Sequence, residues 1–248
     1  MIPVLFHIGP LTVYSYGLML AIAVMVCAYL LSRDARPLGI APEAVYDFVF
    51  WTVLSGIFGA RLFYVLMNLD FYLRSPWEIL MVQNGGLAIQ GGLVLGAVVG
   101  MWQIRRMKLP PLVMWDLSAP YLALGESIGR IGCFLNGCCY GRPVAWGIYF
   151  PVHQDYLHPT QLYATAALFL IYVFLKWFQK AIPADSRPAG KIFVYYLWLE
   201  SFQRFIIEFF RGDHNVTYGG LSIYQLFCIG IFSAGLILNR FIVRHPQS

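Results

Sequence analysis

The sequence predicts an all-α polytopic membrane protein with seven transmembrane helices, on three observations. Of the 248 residues, 59% are apolar and only 12% are charged, whereas about a quarter are charged in an average soluble domain. Apolar runs of about twenty residues recur along the chain, and a helix of that length spans a bilayer core. The basic residues are concentrated in alternate gaps between these runs. The runs are continuous, whereas a membrane barrel would alternate with period two.

The hydropathy pattern places the seven spans along the whole chain. They lie at about 11–31, 44–66, 86–104, 115–135, 161–179, 191–210 and 221–239. The connection between the fourth and fifth spans, about 136–158, should form a small outer cap. We expect one membrane-embedded domain over residues 1–248. The N-terminus lacks a basic region and a cleavage site, so no removable signal peptide is predicted.

The distribution of lysine and arginine predicts the orientation of the spans. Eleven of the seventeen basic residues fall in one set of loops, whereas the opposite loops hold only Arg74, Arg142 and Arg211. Positively charged loops stay in the cytoplasm, so the N-terminus is predicted outside, on the periplasmic side, and the C-terminus inside. Because the basic residues form no separate patch, the net charge of +5 indicates topology and not nucleic-acid binding.

Three of the remaining basic residues fall within predicted spans: Arg61, Arg130 and Arg204. An arginine at membrane depth costs about 3 kcal/mol on insertion scales, so each should be paired or face a polar cavity. Glu126 precedes Arg130 by four positions, and Glu200 and Glu208 flank Arg204 at the same spacing. Structural ion pairs are therefore one interpretation of these arginines.

Anion binding is the other interpretation, and it applies to Arg130 and to Arg211, which follows Glu208 by three positions. Both arginines lie near the outer ends of predicted spans, where a lipid head group would be. They also carry the five-donor guanidinium fork that suits phosphate. This position favours binding of an anionic lipid.

Glycines recur every four residues on two of the spans. Gly92, Gly96 and Gly100 share one helix face, as do Gly125 and Gly129, and small residues at this spacing let helices approach closely. The stretches 84–86 and 90–92 stand at the outer boundary. Their glycine-rich backbone is typical of an interrupted helix or of a turn that cradles phosphate.

The densest candidate site runs from Gly129 to Pro143, where a span enters the predicted cap. It reads GRIGCFLNGCCYGRP, with two arginines, an asparagine and four glycines. Such a stretch could bind an anion through guanidinium and backbone N–H groups.

This stretch resembles the signature of the bacterial prolipoprotein diacylglyceryl transferases, approximately G-R-x-G-N-F-x-N-G-E-x-x-G-R. The matching positions are Gly129, Arg130, Gly132, Phe134, Asn136, Gly137, Gly141 and Arg142. Further motifs of the family follow in its order, including YSYGL at 14–18, GAR at 59–61, GGLAIQGG at 85–92, HPTQLY at 158–163 and EFFR at 208–211. The resemblance covers the chain from end to end.

The resemblance implies a reaction and its participants. Such an enzyme moves the diacylglyceryl group of phosphatidylglycerol to the lipobox cysteine of a secreted prolipoprotein, at the bacterial cytoplasmic (inner) membrane. Neither a cofactor nor a metal is expected, since no metal-ligand spacing is evident. The resemblance implies catalytic roles for Arg130, Arg211, Gln90 and Tyr16. It implies substrate binding by Arg61, Asn136, Gly141, Arg142, Gly91, Gly92 and His158.

Four positions depart from the family pattern. Gln90 replaces a histidine, Cys133 an asparagine, Cys138 a glutamate and Ala164 a residue that is often glutamate. Glutamine cannot accept a proton at neutral pH. The acceptor thiol must then lose its proton either to His158 or through the positive field of the arginines, and we favour the field.

Two questions remain open at this stage. Cys133, Cys138 and Cys139 could be packing residues in a compact turn, could include a disulfide on the oxidising side of the membrane, or could form a reactive or metal-binding group. The chain could also act on another thiol or another acceptor, or bind lipid or lipoprotein without catalysis.

Overall fold

A computed structural model describes residues 1–8, 11–81, 85–182, 188–213 and 219–244. Its helices are α1 Ser15–Ala35, α2 Pro42–Met67, α3 Leu69–Arg74, α4 Ile89–Arg106, α5 Pro111–Asn136, α6 Thr160–Ala181, α7 Lys191–Glu208 and α8 Ile223–Arg244. Its strands are β1 Val4–Ile8, β2 Leu11–Tyr14, β3 Pro143–Phe150 and β4 Asp155–Leu157. The chain divides into two compact units, one of Leu31–Met114 and one of Met1–Leu30 with Trp115–Ser248.

The protein is a mostly helical, multi-pass membrane protein. Among the described residues, four segments are long and apolar enough to cross a bilayer: Ser15–Leu38, Pro42–Met67, Thr160–Ala181 and Ile223–Arg244. The interiors of α5 and α7 carry charged side chains, and α4 is rich in glycine and ends in two arginines. These residues lower the hydropathy of the three helices.

Each predicted span corresponds to one long helix, with ends shifted by at most five residues. The start of the first span was predicted wrongly, because residues 11–14 form β2 and pair antiparallel with β1. Short apolar runs fit a strand as well as a helix, so hydropathy alone did not distinguish them there. The predicted phosphate turn at 84–86 begins at Asn84, which lies outside the described residues.

In the unit Leu31–Met114, α2 and α4 pack backbone to backbone through glycines. A Cβ added at Gly91 would lie 2.2 Å from the Gly59 carbonyl oxygen, and one at Gly92 would lie 3.0 Å from the Gly56 oxygen. The row of close contacts continues at Gly96, where an added Cβ would lie 3.4 Å from the Thr52 carbonyl oxygen. The close helix packing predicted from this glycine spacing is confirmed here. On α5, a Cβ added at Gly125 would lie 3.4 Å from the Cys27 sulfur, whereas one added at Gly129 would have no atom within 4 Å.

We expect Gly91→Ala to separate α2 from α4 and to destabilise the protein by about 1–3 kcal/mol, the usual range for overpacking. The clash is with rigid backbone, so no side-chain rotation relieves it. Gly56→Ala is the matched control, because its Cβ would meet the Gly92 oxygen at an ordinary 3.6 Å. The measurement is the thermal unfolding of both variants in detergent. Equal unfolding temperatures would contradict the packing role.

In the other unit, α5, α6 and α7 surround an apolar core. Its buried members are Ala119, Ala123, Ile171, Leu175, Ile192 and Tyr196. The carboxylate of Asp116 on α5 accepts hydrogen bonds from the backbone N–H groups of Gly190, at 2.8 Å, and Phe193, at 2.9 Å. An acidic side chain thus caps the N-terminus of α7, where the helix dipole favours negative charge.

The predicted pairing of buried charges is confirmed for only one of the arginines. Arg204 Nη2 lies 3.6 Å from Glu208 Oε2, and Glu208 also accepts a hydrogen bond from Ser222 at 2.9 Å. Glu126 instead accepts a hydrogen bond from the Tyr196 hydroxyl at 2.7 Å. The expected ion pairs of Glu126 with Arg130 and of Glu200 with Arg204 do not form among the described residues.

Candidate active site

The signature stretch begins at the C-terminus of α5, which a sharp turn ends. Gly137 adopts a left-handed φ of 78°, and the Cys138 N–H returns to the Cys133 carbonyl at 3.2 Å. Cys139 also has a positive φ, 63°, which a side chain with a Cβ adopts only when its surroundings hold it.

Two buried side chains at the start of α6 hold this turn. The Thr160 hydroxyl donates to the Cys139 carbonyl and the Gln161 amide donates to the Cys138 carbonyl, both at 2.7 Å. Thr160 and Gln161 are each only 1% exposed, so this clamp is rigid. Both residues belong to the HPTQLY motif, and their role in fixing the cysteines could not be read from their spacing.

The segment after the turn is held between two neighbours. The Gly141 N–H donates to the His158 carbonyl at 2.9 Å, and the Arg142 N–H donates to the Phe210 carbonyl at 2.9 Å. Gly141 also forms a bridge with Arg211. A Cβ at Gly141 would lie 2.4 Å from the His158 Cβ, so only glycine fits. Three distant motifs of the sequence are therefore joined by backbone hydrogen bonds.

Arg211 is buried, and its guanidinium is engaged by a carboxylate that the sequence analysis did not consider. Its Nε and Nη2 donate to the two carboxylate oxygens of Asp213, each at 2.7 Å. The predicted partner, Glu208, pairs with Arg204 instead. Helical spacing pointed to Glu208, but α7 ends there and the chain turns back through Gly212. Burial opposes the charge, yet the hydrogen bonds with Asp213 raise the pKa of Arg211 above its ordinary value.

Arg130 differs from Arg211 in having no ion-pair or hydrogen-bond partner among the residues that the structure describes. Its side chain is half-buried near the C-terminal end of α5. A guanidinium in that setting is costly without an anion. The buried Arg61 and Arg211 use guanidinium donors within the protein, whereas the donors of Arg130 have no such partner among the described residues.

Cys133, Cys138 and Cys139 come together in space. Their three sulfur atoms lie within 4.8 Å of one another, and all three thiols are free. Hydrogen bonds from the Cys133 and Cys138 thiols lower the pKa of Cys139, burial opposes them, and the positive charges of Arg211 and Arg130 add to the lowering. The cluster therefore lies within the field of both arginines.

Asn136 and Tyr16 also border this cluster. The Asn136 side chain acts to lower the pKa of the Cys138 thiol, against the effect of burial. Tyr16, on α1, packs against α5, because a Cβ at Gly132 would lie 3.2 Å from its ring. Arg142 lies farther along the chain, where its Nε donates to the Arg211 carbonyl at 3.3 Å. All three residues belong to the same compact unit as Arg130 and Arg211.

Aromatic side chains pack around His158. Its Nδ1 shares a hydrogen bond with the Tyr163 hydroxyl at 3.2 Å. Its ring centroid is 4.8 Å from that of Trp146 and 5.5 Å from that of Phe210, both edge to face. These contacts fix the ring orientation, which favours a positioning role for His158 over a mobile base.

The other predicted site residues lie in the unit Leu31–Met114. Arg61 is 6% exposed, and its guanidinium donates to backbone carbonyls of the loop that precedes α4. The acceptors are Glu78, Ile79, Met81, Gly85 and Gly86. Its contacts therefore hold that loop in place.

Gln90, Gly91 and Gly92 lie in the first turn of α4, and not in an open turn. The Gln90 side chain is exposed, whereas Gly91 is buried against α2. The structure thus gives the two glycines a packing role. The prediction of an open phosphate-cradling turn at 90–92 is wrong, because helix formation and the contact with Gly59 use this backbone.

The whole chain was then compared with known proteins. A family model described as prolipoprotein diacylglyceryl transferase matches residues 3–240. The chain belongs to the prolipoprotein diacylglyceryl transferase family. It is 32% identical over 242 residues to a phosphatidylglycerol–prolipoprotein diacylglyceryl transferase of Clostridium tetani, covering 93% of this chain and 95% of that protein.

Other transferases of the same name are about equally similar. The one of Synechococcus elongatus is 34% identical over 250 residues, covering 95% of this chain and 85% of that protein. The one of Geobacter sulfurreducens is 33% identical over 255 residues, covering 98% of this chain and 95% of that protein. The resemblance inferred from the motifs is confirmed.

Two of the four departures of this chain from the family pattern lie together in space. Cys133 and Cys138 replace the signature's asparagine and glutamate, and together with Cys139 they form one cluster. Ala164 is 3% exposed and packs with Leu168 and Ile207, so an apolar core replaces the often acidic residue. Two polar residues of the signature have thus been exchanged for thiols, which cluster with the thiol of Cys139.

Proposed function

We propose that this transferase moves the diacylglyceryl group of phosphatidylglycerol to the lipobox cysteine of secreted prolipoproteins. The acceptor thiol loses its proton to water, and its sulfur attacks the glyceryl carbon that bears the phosphate. The carbon–sulfur bond forms as the carbon–oxygen bond breaks, and the electron pair leaves on the oxygen of glycerol phosphate. The products are a thioether and glycerol phosphate.

Arg130 carries this proposal. Its guanidinium has no ion-pair partner among the described residues and stands in the family's signature motif. Negative charge grows on the leaving phosphate in the transition state. A bidentate guanidinium neutralises this charge. Arg211, oriented by Asp213, is proposed as the second phosphate contact. Asn136, Tyr16 and Arg142 are proposed to border the substrates.

Deprotonation of the acceptor thiol is proposed to rely on the field of the arginines. We expect the transfer rate to rise about tenfold per pH unit below the pKa of the peptide thiol, since only the thiolate reacts. His158→Ala should lower the rate by about tenfold or less, because its ring is fixed among aromatic side chains. The measurement is the pH–rate profile of purified protein with a lipobox peptide.

Loss of several orders of magnitude in folded His158→Ala, with a flattened pH profile, would instead make His158 the base. Tyr163→Phe is the control for positioning, because it removes only the hydroxyl that shares the hydrogen bond with His158.

Seven spans with the N-terminus outside are proposed for the bacterial inner membrane, with residues 136–158 in an outer cap. The support is the asymmetry of basic residues and the length of the helices. Reporter fusions after residues 36, 108 and 187 should read cytoplasmic. A periplasmic reading at residue 108 would overturn the arrangement of the third and fourth spans.

Complementation tests the function directly. The chain should restore growth and lipoprotein maturation in a bacterial strain depleted of its own transferase, and Arg130→Ala should not. Purified protein with phosphatidylglycerol should lipidate a lipobox peptide but not the same peptide with serine for cysteine. If neither the cell nor the purified protein shows transfer, a silent lipid- or lipoprotein-binding role replaces the proposal. Transfer to a different thiol only would indicate another acceptor.

A further inference from the structure

The three-cysteine cluster lies beside Arg130 and is unexplained by the transferase chemistry, because the nucleophile belongs to the substrate. Its members are Cys133 at the end of α5, and Cys138 and Cys139 in the following turn. Cys27 and Cys228, by contrast, stand alone inside helices. Three sulfur ligands within 4.8 Å match the ligand set of a thiophilic metal ion.

The geometry suits a small tetrahedral ion. A Zn²⁺ ion about 2.3 Å from each sulfur spaces its sulfur ligands by about 3.8 Å. The sulfurs, within 4.8 Å of one another, need to close by about 1 Å at most, which side-chain rotation can supply. The backbone is already fixed, because Thr160 and Gln161 clamp the two carbonyls of Cys139 and Cys138.

The electrostatics also suit such an ion. Three thiolates with one divalent cation carry a net charge of −1, and a fourth thiolate makes it −2. The guanidinium groups of Arg211 and Arg130 act on this cluster and stabilise an anionic complex. No His, Asp or Glu of the described residues joins the group of ligands, so three protein ligands leave one position open. An open fourth position is the feature that separates catalytic zinc sites from structural ones.

We propose that Cys133, Cys138 and Cys139 bind one divalent cation of the Zn²⁺ class, whose open position takes the acceptor thiol. This inference rests on the proposed function for the identity of that thiol. On coordination the thiol releases its proton to water and binds as a thiolate. Its sulfur then forms the bond to the glyceryl carbon while the carbon–oxygen bond breaks and the electron pair leaves with glycerol phosphate. The product thioether is neutral and leaves the ion, which regains its open position.

This site accounts for three of the four departures of the chain from the family pattern. Gln90 cannot act as a base, and the signature's asparagine and glutamate are replaced by Cys133 and Cys138. A bound cation adds its charge to the field of the arginines and so favours loss of the thiol proton without a general base. The metal-free expectation from the sequence rested on ligand spacing, which does not resemble common zinc motifs. The turn at Gly137 brings the ligands together instead.

The first test is metal binding by the full chain, purified in detergent under reducing conditions. Wild type should bind one equivalent of Zn²⁺, and Co²⁺ in its place should give thiolate charge-transfer absorption. Cys139→Ser and Cys138→Ser should each weaken binding at least about tenfold. Cys27→Ser is the control, since serine can keep the hydrogen bond to the Tyr121 carbonyl. Equal binding by wild type and both cluster variants would overturn the site.

The second test separates the cation from the transfer reaction. A lipobox peptide should increase the charge-transfer absorption of the Co²⁺ protein, and the serine peptide should not; equal spectra would overturn the thiol at the open position. Chelator-treated protein should lose transfer and regain it with Zn²⁺. If it keeps full transfer, the inference fails and the proposed function stands. If Zn²⁺ binds through the three thiols and no transfer occurs, the function fails and the cation site stands.

Discussion

Arg130→Ala is expected to lower diacylglyceryl transfer by about a hundred- to a thousandfold, the usual effect of removing one group that stabilises transition-state charge. The guanidinium has no ion-pair partner to abandon among the described residues, so folding should be unaffected. Lysine at this position should restore little activity, because its single charge lacks the bidentate fork. The measurement is the initial rate of lipidation of a lipobox peptide at saturating phosphatidylglycerol, with thermal unfolding alongside.

Arg240→Ala is the matched control for the loss of one positive charge. Arg240 is exposed near the end of α8, far along the chain from the signature motif. Its variant should transfer at the wild-type rate. Near-normal activity of folded Arg130→Ala would remove Arg130 from the phosphate site and with it the main support for the proposed function.

Arg211→Ala is expected to cause a loss of similar size, about a hundredfold or more. Two of its guanidinium nitrogens donate to Asp213, which fixes the plane of the fork. We therefore expect Asp213→Asn, which keeps the shape of the side chain but not its charge, to lower the rate by about tenfold or more. The kinetic constants for the lipid and for the peptide should be measured separately.

A positioning role predicts that Asp213→Asn raises the KM for phosphatidylglycerol while the KM for the peptide is unchanged. A purely structural ion pair predicts lower thermal stability with both constants unchanged. If Arg211→Ala transfers normally and only unfolds earlier, Arg211 holds the cap and Arg130 alone binds phosphate.

The helices were predictable because their signal is local. Runs of apolar residues must form helices in a bilayer, where each backbone group needs an internal partner. The β1–β2 hairpin was missed, because four residues such as Leu11–Tyr14 carry no period that distinguishes strand from helix. The approach of α4 to α2 was predictable from the repeat of Gly92, Gly96 and Gly100.

The contacts of the predicted site residues could not be derived from the sequence. The motif named Arg130, Arg211 and Asn136, and helical spacing correctly paired Arg204 with Glu208. Spacing failed for Arg211, because the helix ends at Glu208 and a turn brings Asp213 to the guanidinium. Arg61 seemed suited to anion binding, yet the folding of its own loop surrounds it with carbonyl oxygens.

By itself, the sequence determined that the chain is a helical membrane protein of the transferase family, because hydropathy and motif order depend only on neighbouring residues. Only the tertiary structure decided which arginines use their donors within the protein. It also decided which glycines lie at helix–helix contacts, and it brought the sulfur atoms of three cysteines together. The physical reason is that hydrogen bonds and close contacts between distant segments, such as Gly141 with His158, depend on how the chain turns back on itself.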